Sequence, residues 1–242
     1  MKREAITPCG EHTAAVSGSG RSVGRRGAVA PGSAWALVTG AGSGIGRCYA
    51  LRLAALGYRL VIVGNNAAPL EAVAGEIRRA AGANASASFP EVRVMPMDLA
   101  RVGAAQELHD RTAAEGIEID VVINNAGIFS FCDILTTPAE RIERIILLHD
   151  LQLCRLYAAD MVRRGVRGHI LNMSSYSLWM PFPGLALYSA SKSYLRGFSV
   201  AFAKEVRDRG IRVTAVCPAG VATDLYGLTP YWQRIGRKLG VL

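Results

Sequence analysis

From Trp35 onward the chain repeats one unit, a short unbroken apolar run followed by a stretch with helical spacing. Residues 36–38 open the series and close at Thr39-Gly40, and a helix follows over roughly 45–56 until Gly57 stops it. The unit recurs as 60–63 then 69–81, 92–95 then 102–115, and 120–123 then one long helix over 138–164. It ends as 169–173 then 187–208, with a sixth strand at 212–216. Continuous Val/Ile/Leu runs, without polar alternation, belong to strands covered on both faces. Strict strand–helix alternation calls for parallel strands joined by right-handed helical crossovers. The expected fold class is therefore α/β, a doubly wound parallel sheet of six strands. Such sheets bind ligands at the carboxyl ends of their strands, near the switch in winding direction.

Length and composition agree with this pattern. The 242 residues suit one domain with a real core, and a hydrophobic content of 50% excludes a wholly disordered chain. No apolar run approaches the roughly 18–20 residues that span a bilayer. The formal charge of +9 sits mostly at the ends. Residues 1–34 carry net +3 and residues 231–242 another +3, whereas residues 35–230 balance 20 basic against 17 acidic groups. Residues 1–34 lack hydrophobic periodicity and read as a disordered basic segment ahead of a domain over 35–242. No aromatics interleave with their arginines, so no nucleic-acid partner is expected. Five cysteines, scattered and without a CxxC pair, argue against a disulfide framework or a metal site, and for a reduced, cytoplasmic compartment.

Between the first strand and the first helix lies Thr39-Gly40-Ala41-Gly42-Ser43-Gly44-Ile45-Gly46, spaced GxxxGxG. Gly40 allows a tight turn, Gly44 lets a pyrophosphate approach the backbone, and Gly46 lets helix and strand pack closely. The helix N-terminus then offers free N–H donors and a positive dipole end to phosphate. At the end of the second strand an acidic residue would hold an adenosine ribose and favour NAD. This chain has Gly64, Asn65 and Asn66 there, so nothing repels a 2′-phosphate and the reading leans to NADP over NAD.

Tyr188 and Lys192 stand at i and i+4 on one helix face. A phenol is a poor base at neutral pH, and a neighbouring ammonium stabilises its phenolate. Proton exchange with a carbonyl or alcohol oxygen then becomes feasible. Ser175 lies 13 residues upstream, at the end of the fifth strand and on the same carboxyl edge as the glycine loop.

Taken together and in order, the glycine loop, Asp98-Leu99, Asn124-Asn125-Ala126-Gly127, Ser175, Tyr188 with Lys192, and Cys217-Pro218-Ala219-Gly220-Val221-Ala222-Thr223 resemble the short-chain dehydrogenase/reductase family. The resemblance covers about 35–228 and implies a Rossmann-like fold. It implies an NAD(P)-dependent oxidoreductase that interconverts an alcohol and a carbonyl by hydride transfer. On that resemblance Tyr188 is the general acid/base, Lys192 supports it and holds the nicotinamide ribose, and Ser175 bonds the substrate oxygen. Gly40, Ser43, Gly44, Ile45, Gly46 and Asn65 would take part in cofactor binding, with Asp98 and Leu99 near the adenine. Asn125, Ala126 and Gly127 would line the cofactor, and Pro218, Val221 and Thr223 would frame the nicotinamide. Pairing of two long helices implies a homodimer or homotetramer.

Three departures from the family pattern bear on activity. The asparagine that many members carry in the long helix is absent over 146–150, where His149 and Asp150 are its only polar substitutes. The usual Pro-Gly after the sixth strand is Pro218-Ala219. After Leu225 too few residues remain for the family's usual last helix and seventh strand, which leaves the sixth strand at an edge. These departures motivate a second reading, a nucleotide-binding protein of the same fold with weak or no catalysis. Trp179, Met180, Pro181, Phe182 and Pro183 suggest an apolar rim for the substrate site.

Overall fold

The computed structural model describes residues 32–82, 91–148, 151–180 and 182–220. The N-terminal segment, the His149/Asp150 pair, Pro181 and the C-terminal stretch with Val221 and Thr223 lie outside the described residues. So do the expectations attached to them.

The strands are β1 (Trp35–Thr39), β2 (Arg59–Gly64), β3 (Val92–Pro96), β4 (Ile119–Asn124), β5 (His169–Met173) and β6 (Arg212–Val216). The helices are α1 (Gly44–Ala55), α2 (Ala67–Gly82), α3 (Ala104–Ala114), α4 (Ala139–Leu148), α5 (Gln152–Arg164) and α6 (Ala186–Val206). The six strands form one sheet in the order β3-β2-β1-β4-β5-β6, and every pairing is parallel. The chain winds outward from β1 to β3, crosses back to β4, and winds the other way. The switch therefore falls between β1 and β4. Among the described residues β6 is an edge strand.

Both faces of the sheet are covered, as the apolar runs require. Leu37, Val61, Val63 and Val122 point into one core with residues of α3 and α5, and Ala36, Val38, Leu60 and Ile62 into another with α1 and α2. Leu37, Val38, Leu60 and Ile62 are fully excluded from water. Each such side chain contributes about 1.5–3 kcal/mol of transfer free energy.

One expected element divides. The helix read over 138–164 is two helices, with Leu151 at the junction in αR backbone (φ −75°, ψ −4°) as the N-cap of α5. The halves pack on different partners. Leu153, Cys154, Leu156, Tyr157 and Met161 of α5 enter the core beside α3. The buried residue of α4 is Ile145. Neither Gly nor Pro marks the division, and the apolar spacing continues across it.

Candidate active site

A cleft of about 340 Å³ opens along the carboxyl ends of β1, β2, β4 and β5. It is lined on one side by Gly40, Gly42, Ser43, Gly44 and Ile45, and on another by Gly64, Asn65 and Asn66. Asn125, Ala126 and Gly127 close its middle, and Ser175, Tyr188, Lys192 and Pro218 its far end. The sequence motifs, up to 178 positions apart, thus meet at the winding switch where the topology puts a ligand.

The glycine cradle is held by hydrogen bonds between the ends of β1 and β4. Thr39 Oγ1 accepts from the backbone N–H groups of Asn125 and Ala126, each at 3.0 Å. Asn125 Nδ2 donates to the carbonyls of Thr39 and Gly40 at 3.1 and 3.2 Å. Gly40 has φ +63°, and a Cβ there would come within 2.9 Å of the Ala126 Cα. Gly46 stays out of the cleft and serves packing. A Cβ on it would overlap the Gly40 carbonyl oxygen and lie 2.5 Å from Asn125 Nδ2.

The first turn of α1 faces the cleft ready for an anion. Ser43 is its N-cap but makes no side-chain cap bond, and no acidic residue stands in the first turn. The leading N–H groups are therefore not consumed by a capping side chain. Arg47, one residue past the glycines, is turned to α2, where its guanidinium pairs with both carboxylate oxygens of Glu76. This ion pair raises the Arg47 pKa. Asn66 caps α2, its Oδ1 accepting from Ala68 N at 3.1 Å. Among the described residues, no carboxylate lines this end of the cleft.

At the far end, Ser175 lies two residues past β5 and its Oγ accepts from Ser177 N at 3.1 Å, which starts a short 3₁₀ turn over Tyr176–Trp179. Tyr188 and Lys192 share a face of α6, with Lys192 Nζ 5.7 Å from the Tyr188 ring centroid. Lys192 is 3% exposed, and its Nζ donates to the Met173 carbonyl at 2.8 Å. Burial pushes the Lys192 pKa down to about 8, which leaves it mainly cationic at neutral pH. Ser174 Oγ donates to the Lys192 carbonyl at 2.8 Å and ties β5 to α6.

Asp98 and Leu99 stand outside the cleft lining. Asp98 accepts from Ala100 N at 2.9 Å and from Arg144 of α4 at 3.0 Å, and these bonds hold its carboxyl below the usual range. Leu99 is buried and lines a separate small cavity with Thr39, Asn124 and Cys154. Sequence reasoning missed Thr39, Ser174 and Glu76 as supports of the site. Their hydroxyls and carboxylate carry no spacing signature, because their partners come from other elements. Pro69 and Leu70, in the first turn of α2, and Met173, the last residue of β5, also line the cleft unannounced.

A parallel sheet with a glycine cradle at its winding switch, and a buried phenol–ammonium pair across the cleft, defines a dinucleotide-type α/β domain equipped for proton transfer. The model of the short chain dehydrogenase family matches residues 34–233, and the chain belongs to that family. A very-long-chain 3-oxoacyl-CoA reductase from Anas platyrhynchos is 36% identical over 210 residues, which cover 83% of this chain and 64% of the relative. Among solved structures, a short-chain dehydrogenase from Sphingobium yanoikuyae in complex with NADPH aligns with TM-score 0.72 at 32% identity, covering 80% of this chain and 73% of that one. A 4-hydroxyisoleucine dehydrogenase complexed with NADH aligns with TM-score 0.70 at 25% identity, covering 79% and 75%. The chain spans 32% to 64% of the length of the first curated relatives it matches.

Proposed function

We propose that this protein is an NAD(P)-dependent oxidoreductase that interconverts a carbonyl and an alcohol. The observation that carries this reading is the meeting of Ser175, Tyr188 and Lys192 in the same cleft as the glycine cradle. The residues fit a dinucleotide. Gly40 and Gly46 leave no room for a Cβ, and the uncapped N–H groups of α1 face the place where a pyrophosphate would lie. Gly40, Ser43, Gly44, Ile45, Asn65, Asn125, Ala126, Gly127 and Pro218 would hold it. When bound, the nicotinamide supplies or accepts the hydride.

The chain's own residues manage the proton. In the reducing direction Tyr188 donates its phenolic proton to the carbonyl oxygen, and the Ser175 hydroxyl hydrogen-bonds that same oxygen. The Lys192 cation stabilises the phenolate left behind, and solvent returns the proton afterwards. Burial at 6% exposure for Tyr188 keeps the Lys192 charge poorly screened.

NADP is the proposed preference, because no carboxylate stands at the end of β2 to repel a 2′-phosphate. The proposed substrate is a carbonyl compound with bulky apolar substituents. Exposed Phe131 and Leu135, after β4, and Trp179, Met180 and Phe182, after β5, support it. The name of the Anas relative, a reductase of long 3-oxoacyl groups, points the same way. Exposed Ile146 of α4 and Tyr194 and Val200 of α6 support a homodimer through these helices. A carbonyl and alcohol panel run with NADPH and with NADH tests the reading. Cofactor oxidation or reduction on apolar substrates is the expected result, and cofactor binding without any turnover would favour the weakly catalytic alternative.

A further inference from the structure

Tyr188 stands in the first turn of α6, the part of a helix most prone to fray. Side-chain caps normally hold such a turn, at about 1 kcal/mol each. Here the N-cap is Leu185, and it makes no side-chain cap bond. A different element meets the turn. The backbone N–H of Cys132 donates to the Gly184 carbonyl at 2.9 Å, two residues before α6 begins. The Phe131 ring lies flush on Gly184, so that a Cβ there would come 3.0–3.2 Å from the ring. Gly184 also has φ +86°, a conformation other residues rarely adopt. The Phe129 ring meets the Tyr188 ring edge-on, with centroids 5.1 Å apart and planes at 67°. Edge-on aromatic pairs contribute about 0.5–1.5 kcal/mol beyond simple burial.

We propose that Phe129 and Phe131 are positioning residues for Tyr188. The segment 129–132 clamps the turn before α6 and fixes the phenol's orientation through the Phe129 ring. This rests on the oxidoreductase reading for its catalytic consequence, but the clamp itself is a property of the folded chain. The contact also needs a ring in particular. A leucine at 129 keeps apolar bulk and loses the edge-on pairing, whereas a tyrosine keeps both.

The test compares Phe129→Leu and Phe129→Tyr with wild type by amide hydrogen exchange and steady-state kinetics, using full-length protein. Phe129→Leu is expected to exchange about tenfold faster over 189–192, where Ser189 N bonds the Leu185 carbonyl, with 196–206 unchanged. Its kcat is expected to fall about tenfold, with KM and NADPH affinity altered less than twofold, and Phe129→Tyr is expected to restore both. Unchanged exchange over 189–192, an increase spread evenly along α6, or no rescue by tyrosine would overturn the proposal. Should wild type show no turnover, the oxidoreductase reading falls, and the exchange comparison still decides the clamp. Gly184→Ala provides a second variant, expected to loosen the same amides because its Cβ displaces the Phe131 ring.

Discussion

Gly46→Ala adds one methyl group at the tightest point of the cradle. The new Cβ would overlap the Gly40 carbonyl oxygen, and would lie 2.5 Å from Asn125 Nδ2 and 2.8 Å from the Gly40 carbonyl carbon. Two of these atoms are backbone, so relief requires β1 and α1 to separate. Overpacking of this kind costs about 1–3 kcal/mol. If Asn125 is pushed off the Thr39 and Gly40 carbonyls, each lost hydrogen bond adds about 0.5–1.5 kcal/mol. Better helix propensity returns up to about 1 kcal/mol. The expected net loss is about 2 kcal/mol, which lowers Tm by roughly 4–8 °C for a domain of this size. Calorimetry should also show NADPH binding weakened at least tenfold, because the cradle moves. Gly197→Ala is the control. Gly197 is in α6 with nothing within 4 Å of an added Cβ, so the same change should raise Tm by roughly 1–4 °C. A Gly46→Ala protein melting within 1 °C of wild type, with unchanged NADPH affinity, would refute the close-approach argument.

Other perturbations follow from the same geometry. Lys192 has a folded pKa of about 8 against an ordinary 10.5, so between these values the unfolded chain binds more protons and stability rises with pH. Relative to Lys192→Met, wild type should therefore gain up to about 3 kcal/mol between pH 8 and 10.5, read from urea midpoints, and a flat difference would contradict the burial of the amine. Ser175→Ala should lower kcat about tenfold or more with NADPH affinity unchanged, the outcome expected from the role proposed for its hydroxyl at the substrate oxygen. Asn65→Asp places a carboxylate at the end of β2 and should weaken NADPH binding about tenfold while sparing NADH, as measured by fluorescence titration.

The strands were the most readable part of the fold. The runs 169–173 and 212–216 coincide with β5 and β6 to the residue. A strand buried on both faces must be apolar throughout, and its neighbours must punctuate it. The division between α4 and α5 was not readable, because neither Gly nor Pro marks it and the apolar spacing continues across it. The glycine spacing announced the cradle, since only a missing Cβ satisfies Gly40 and Gly46. The role of Thr39 was hidden, because a hydroxyl that bonds two N–H groups some 86 positions away leaves no periodic trace. Nothing in the sequence pairs Arg47 with Glu76, because the two stand on different helices, and only the fold brings them together. The proposed aromatic clamp on α6 was likewise invisible, because Phe129 and Phe131 look like any apolar loop residues until the fold brings Tyr188 to the first and Gly184 to the second.

The central claim is that Tyr188 moves the proton at the carboxyl edge of this sheet. It is tested most directly by the turnover of Tyr188→Phe against wild type, on a panel of apolar ketones with NADPH at saturation. The account predicts that wild type turns over and that the variant, with its ring contact to Phe129 kept and its hydroxyl gone, loses about 10²–10⁴ in kcat while binding NADPH as before. Equal turnover by the two proteins would contradict it.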